Sequence, residues 1–268
     1  MVPFRAPSAP RFPSPCAIGY VAPQWRRAIG FGGGRLFDGF YKVEYKAGDV
    51  VGRSVMYVHE GRLLGGNSAF AHVGSYERDG DEIVCRVSGQ RHTVDPRFRT
   101  LYGADDDRIV TRGRADGPLY RFTGGRPQDE VATFRSVMTP LDEESMPPAG
   151  TVGAGGAVNG LYSVRIRLRD GLSGGLTGVM LLQDGRLLGG DAFFYYLGAY
   201  SSADGLWKGE IVNQEHTPAS ADPIFGGHEV GIGFSGHCDA HGADWQATAF
   251  TGKRSLQLTA ALTLLHRS

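Results

Sequence analysis

No run in this chain is apolar for long enough to cross a membrane as a helix, and only three of its 268 residues are cysteine. The first absence removes any reason to expect a membrane partner. Cys16, Cys85 and Cys238 are an odd number set far apart, so the pairing framework of a small secreted domain is not visible and a cytoplasmic location is expected. Charge of one sign is lacking too. The 28 basic and 28 acidic side chains cancel, which gives no electrostatic reason to expect direct nucleic-acid binding. Helical periodicity is also missing: from residue 38 onward no dozen residues sustain it without a glycine, and the chain has 41 of them.

The leader lacks other things. Residues 1 to 35 contain no lysine and no acidic residue, but five arginines and six prolines. This leaves 23 basic against 28 acidic side chains in the remainder, which is mildly acidic. Prolines at 7, 10, 13 and 15 break every stretch that could serve as the apolar part of a secretory signal. The expectation is a disordered tail, or upstream sequence added by an over-early start, before a working chain that begins near Leu36.

What is present is a duplication. Glu60-Gly61-Arg62-Leu63-Leu64-Gly65-Gly66-Asn67 returns as Asp184-Gly185-Arg186-Leu187-Leu188-Gly189-Gly190-Asp191. An acidic residue before glycine suits a two-residue hairpin turn, and the Gly-Gly pair permits a bulge or sharp corner. Upstream, Asp38-Gly39-Phe40-Tyr41 matches Asn159-Gly160-Leu161-Tyr162; downstream, Gln90, His92 and Thr93 match Gln214, His216 and Thr217. The offset grows from 121 to 124 across the hairpin. Three extra residues are therefore expected in the glycine-rich stretch Arg169 to Gly175, where a loop would absorb them.

Each copy reads as strands. Tyr41, Val43 and Tyr45 alternate with Lys42 and Glu44, while Tyr162, Val164, Ile166 and Leu168 alternate with Ser163, Arg165 and Arg167. Apolar runs bounded by glycine turns, such as Val55 to Val58 and Val179 to Leu182, are further strand signals. The first copy carries strand patterns at Val51–His59, Arg62–Asn67, Ala71–Glu77, Glu82–Gly89, Arg108–Arg114, Leu119–Thr123 and Val131–Thr139. About eight short strands per copy predict an all-β protein of two tandem small antiparallel barrels, each burying its own core. The runner-up is a sandwich. The expected divisions are 1–35 leader, 36–141 first barrel, 142–158 flexible linker carrying Pro147 and Pro148, and 159–268 second barrel.

The ordered string that opens each copy, Asp38-Gly39-x-Tyr41-x-Val43 and Asn159-Gly160-x-Tyr162-x-Val164, then the acidic-Gly-Arg turn and Gly-Gly-Asn/Asp, resembles the GrlR-type negative regulators of type III secretion and their rhizobial relatives. The resemblance is densest over the first half of each copy. It implies a lipocalin-like barrel in the bacterial cytoplasm that works without catalysis or cofactor by holding another protein, here a transcriptional regulator. It also implies partner contact at an acidic turn after the fourth strand. The matching residues are Asp79, Asp81 and Glu82, preceded by Glu77, and only Asp204 survives at this place in the second copy.

Other residues carry weaker chemistry. His92 and His216, with Asp95 or Asp222 nearby, could act as bases in an enzyme reading; the plainer reading is a strand-end histidine bonded to backbone. His237, Cys238 and His241 have a spacing a metal could use, but the first copy has no equivalent and no metal is expected. Gly231-x-Gly233-x-x-Gly236 lacks the helix a dinucleotide site needs. Phe193, Tyr195, Tyr196 and Tyr200 make the second copy's fourth strand aromatic and are candidates to line a cavity for a small apolar ligand, the carrier alternative to a protein partner. Deleting residues 1 to 35 is expected to leave the melting temperature unchanged, as a calorimetric comparison with the full chain would show.

Overall fold

The computed structural model describes residues 37–169, 176–218, 229–251 and 254–268. The expected leader lies outside these residues, as does most of the stretch expected to hold the three extra residues. Among the described residues sixteen strands follow one another. The first eight are β1 (Gly39–Ala47), β2 (Val50–His59), β3 (Arg62–Gly66), β4 (Phe70–Asp79), β5 (Glu82–Arg91), β6 (Asp106–Asp116), β7 (Leu119–Gly125) and β8 (Phe134–Pro140). The second eight are β9 (Gly160–Leu168), β10 (Leu176–Gln183), β11 (Arg186–Gly190), β12 (Phe194–Ala203), β13 (Leu206–Glu215), β14 (Val230–Cys238), β15 (Gly242–Thr251) and β16 (Arg254–Arg267). Each set forms a closed antiparallel meander, the first sealed by β1 on β8 and the second by β9 on β16. Closure leaves neither sheet an open edge.

The duplicated motifs are the joints of each barrel. Glu60 and Gly61 have φ of 47° and 82°, Asp184 and Gly185 of 48° and 80°, the double positive φ of a type I′ hairpin turn. Asp38 accepts a hydrogen bond from the Glu60 amide at 3.2 Å, and Asn159 accepts one from the Asp184 amide at 3.0 Å. The tyrosine two residues after the following glycine reaches back: Tyr41 donates to Phe37 O at 2.8 Å and Tyr162 to Val158 O at 2.6 Å. Asx-Gly-x-Tyr thus ties the first strand of each barrel to the hairpin that follows.

Two cores sit inside the barrels. Tyr41, Val58, Leu63, Tyr120 and Phe122 fill the first, and Tyr162, Leu187, Trp207, Phe234 and Trp245 the second. A third apolar cluster belongs to both barrels, built from Phe40, Val55, Leu64, Leu161, Val179 and Leu188 among others. This layer explains why Val55 to Val58 and Val179 to Leu182 do not alternate with polar residues. One face of each strand meets its own barrel's core and the other meets the neighbouring barrel.

The shared layer is built from matching positions of the two copies, as an isologous dimer interface would be. A Cβ on Gly66 would stand 2.8 Å from Val179 Cγ1, and one on Gly190 would stand 2.9 Å from Val55 Cγ1. Both glycines have φ outside the range of ordinary side-chain-bearing residues, 151° and 159°. The Gly-Gly corner expected from the sequence is therefore also a place of close approach between barrels. Thr177 adds a hydrogen bond across the boundary, donating to Ser68 O at 2.7 Å.

The 142–158 connector differs from expectation. It is not a free tether: Ser202 N donates to Thr151 O at 2.9 Å, Gly153 N to Ser202 O at 2.8 Å, and Asp204 N to Ala154 O at 2.8 Å. Val152 forms a parallel bridge to Ser202. These bonds hold the strap on the β12–β13 hairpin. Gly66→Ala and Gly190→Ala are each expected to lower unfolding free energy by about 2–4 kcal/mol in urea titrations. Gly48→Ala, at an open turn with nothing near its Cβ position, should cost less.

Candidate ligand cavity of the first barrel

Within the first barrel the inward residues of its strands leave a cavity of about 90 Å³. Val43, Met56, Val87, Ile109, Phe134 and Met138 give it an apolar wall, and Arg99, Leu101 and Ala104 of the β5–β6 loop close one end. Ala104 is exposed and the Arg99 side chain is 62 % exposed, so that end reaches the surface. Arg99 is clasped to Asp49 of the β1–β2 turn at 3.0 Å, and this guanidinium holds the Asp49 carboxyl below its usual range.

Polar groups in the wall are few. His72 points in from β4, and its Nε2 is shielded from solvent with no hydrogen-bond partner. Burial pushes its pKa down to about 4, so the ring is neutral at pH 7. Tyr45 stands edge-on to His72 with ring centroids 6.2 Å apart, and burial raises its hydroxyl to about 12. That hydroxyl accepts a hydrogen bond from Asn67 Nδ2 at 3.1 Å. Asp107 lies at the loop end, where burial raises its carboxyl.

The described residues of the second barrel put a larger side chain at this place. Strand registers place Gly209 and Phe234 where the first barrel has Cys85 and Thr111. The Phe234 ring lies over Gly209, 2.7 Å from where a Cβ would be, and is tilted against Trp207 at 4.7 Å and Trp245 at 5.5 Å. Smaller inward side chains make room in the first lumen: Thr111 stands where Phe234 does and Ile83 where Trp207 does. The signal was present in the sequence as smaller residues at inward positions, but only the register shows which residues to compare.

The aromatic strand of the second copy, offered as a cavity lining, is used otherwise. Tyr195 faces the shared layer, edge-on to Phe40 at 6.2 Å. Tyr196 and Tyr200 are packed in the second core, and Phe193 is half-buried in the turn before β12. None of the four lines the cavity.

The paired histidines are structural fasteners. His92 Nε2 bonds Asn67 O at 3.1 Å and His216 Nε2 bonds Asp191 O at 3.3 Å; each Nδ1 meets the next threonine's hydroxyl at 3.0 Å. Both ring nitrogens are occupied, so neither histidine is placed as a free base. Asp95 pairs with Arg97 at 2.7 Å rather than with His92, and Asp222 lies outside the described residues. The corner residue each histidine holds caps the next strand: Asn67 Oδ1 accepts from Ala69 and Phe70 amides, and Asp191 Oδ1 from Phe193 and Phe194 amides.

At the acidic tip, strands β4 and β5 bring Glu77, Asp79, Asp81 and Glu82 together around a turn with φ of 62° at Gly80. Three of the four meet arginines of the same sheet. Glu77 pairs with Arg86 at 2.9 Å, and Asp79 and Glu82 approach Arg112 at 3.0 and 3.7 Å. Asp81 stays exposed. His237, Cys238 and His241 do not converge: Cys238 is buried in the second core, while His237 sits 3.6 Å from Asp244 outside. Among the described residues no group of three metal-binding side chains occurs. Gly231, Gly233 and Gly236 lie along β14, inside a strand.

The described residues thus form a tandem pair of closed eight-stranded antiparallel barrels, the first with an internal cavity. Family models, curated proteins and solved structures yield no match to the chain.

Buried Asp191 generates a prediction, since burial raises its pKa. A carboxyl favoured neutral in the fold contributes stability below its unfolded pKa and loses it as pH rises through the folded value. The first barrel has Asn67 in this place. Asp191→Asn should therefore raise the unfolding midpoint at pH 7 and leave it little changed at acid pH. Buried His72 and His216, both near 4, act in the opposite sense: their contribution is present above about 6.5 and falls away toward pH 4. Melting temperatures measured from pH 4 to 8 check both signs.

Proposed function

We propose that the protein is a binding protein whose first barrel takes up a small, mostly apolar molecule, without transforming it. The observation that carries this reading is the hollow lumen with the unpartnered imidazole of His72 in its wall. A buried polar atom without a partner is costly, and a ligand hydroxyl or carbonyl would relieve that cost. An engineered cavity of about 150 Å³ accommodates benzene, so a space of about 90 Å³ suits a short alkyl group or the end of a longer chain. The polar end of such a ligand would lie at the loop, beside Arg99 and Asp107. Catalysis has less support, because His92 and His216 are both occupied by structural bonds.

A regulator that grips another protein through Glu77, Asp79, Asp81 and Glu82 is the competing reading. Its electrostatic basis narrows to Asp81, since arginines of the same sheet meet the other three carboxylates.

The test is thermal stabilisation by short-chain alcohols and carboxylates. At a ligand concentration of 100 Kd, stabilisation should be about 2.7 kcal/mol, a shift of a few degrees. Ser136→Phe, which fills the lumen, should abolish the shift for every ligand. His72→Phe should weaken alcohols more than a hydrocarbon of the same size, and Arg99→Ala should weaken carboxylates selectively. If no compound stabilises the protein, or if Ser136→Phe still responds, the cavity is not a binding site.

A further inference from the structure

The outer face of β5 to β8 is crowded with one side-chain type. Alternation with the core residues Ile83, Cys85, Tyr120, Phe122 and Met138 turns Arg86, Arg108, Arg112, Arg114, Arg121 and Arg135 outward. Against these six, the outward positions of the same four strands hold three carboxylates, Glu82, Asp106 and Asp116. Intramolecular pairing uses part of the surplus. Arg86 meets Glu77, Arg112 meets Asp79 and Glu82, and Arg121 meets Asp116. Arg108, Arg114 and Arg135 form no ion pair among the described residues, and all three are exposed.

The strand register adds electrostatic conflict. Arg114 stands directly opposite Arg121, and Arg135 directly opposite Lys46 of β1. Like charges so placed on neighbouring strands repel. Barrel formation does not require this arrangement. The second barrel has Glu210, Gly231, Ser235, His237, Asp244 and Thr259 at the six corresponding places, reading across the same registers, and it closes all the same. All six arginines are absent there, whereas the core and shared-layer positions remain apolar.

We infer that this face of the first barrel is a docking surface for an acidic polypeptide segment, held by Arg108, Arg114 and Arg135. Guanidinium forks match carboxylates in two-point geometry, which a lysine-rich face would not offer. Val110 and Val137, half-buried between the arginines, give aliphatic contacts alongside the charges and favour an extended segment that alternates acidic with apolar side chains. Nucleic acid fits less well. The outward positions of these strands hold no aromatic ring on which a base could stack, and the chain beyond residue 35 is acidic overall. The charge is opposite to that of a partner drawn by the neighbouring acidic tip, and the inference stands whether or not the lumen takes a ligand.

Fluorescence anisotropy with the full chain tests it, using a labelled peptide that alternates glutamate with valine and serine. Binding should weaken with added salt, and Arg108→Gln/Arg114→Gln/Arg135→Gln should lower affinity about tenfold or more. These exposed changes should leave melting unaffected, and Arg165→Gln/Arg167→Gln on the second barrel should leave binding unaffected. A peptide with glutamine in place of glutamate should not bind. The inference is overturned if the acidic peptide fails to bind at low salt, if the triple variant binds as well as the parent, or if single-stranded DNA of equal charge binds more tightly than the peptide.

Discussion

Two valine side chains occupy the space that two glycines leave empty, each reaching from one barrel to the other. On this reciprocal contact depends the close approach of β2 and β3 to β10 and β11, and with it the apolar layer they share. A methyl group added at Gly66 or Gly190 would meet both the other barrel's valine and, closer still, its own barrel's backbone at Phe70 O or Phe194 O, 2.3 and 2.4 Å away. The motif that repeats most faithfully in the sequence is therefore the one with two duties. Its acidic-Gly turn closes a hairpin, while its Gly-Gly end admits the neighbouring barrel.

The sequence revealed the architecture more readily than the site. Strand alternation and the positive-φ turns at Glu60-Gly61 and Asp184-Gly185 are local, and local patterns were enough for eight strands in each copy. The pattern over Val131–Thr139 predicts a strand, which begins only at Phe134, because β-branched residues also occur in exposed loops. The shared layer left a trace in the unalternating Val55 to Val58, but an apolar run does not say whether its second face meets a helix, a sheet or another barrel. The cavity was less accessible still. It depends on Thr111 standing where Phe234 stands, a comparison across strands whose register no local pattern fixes. The arginine face was missed for a similar reason: its six members are spread over four strands and become one surface only when those strands pair.

Duplication has preserved some parts and freed others. The joints keep their residue types in both copies, and most positions of the shared layer stay apolar although their sizes change, since closing the barrels and joining them constrains those positions. The lumen and the outer face of β5 to β8 have diverged. One barrel is packed with Trp207, Phe234 and Trp245, while the other keeps an internal space and carries the arginines.

Short hairpins bear on how such a chain finds its fold. Two copies of one hairpin in a single polypeptide offer a kinetic hazard, because a strand of the first copy can in principle pair within the second and trap the chain in an exchanged state. In the first barrel β1 and β2 are separated only by Gly48 and Asp49, β2 and β3 only by Glu60 and Gly61, and β4 and β5 only by Gly80 and Asp81. A strand so tethered meets its correct neighbour by closing a very small loop, on the microsecond scale of hairpin formation, before a rival a hundred residues away can arrive. The sealing of β1 by β8 and of β9 by β16 lacks that protection, and the longer connections between β5 and β6 and between β13 and β14 give less of it. Exchange between copies is thus least hindered at these pairings, above all when each meander closes.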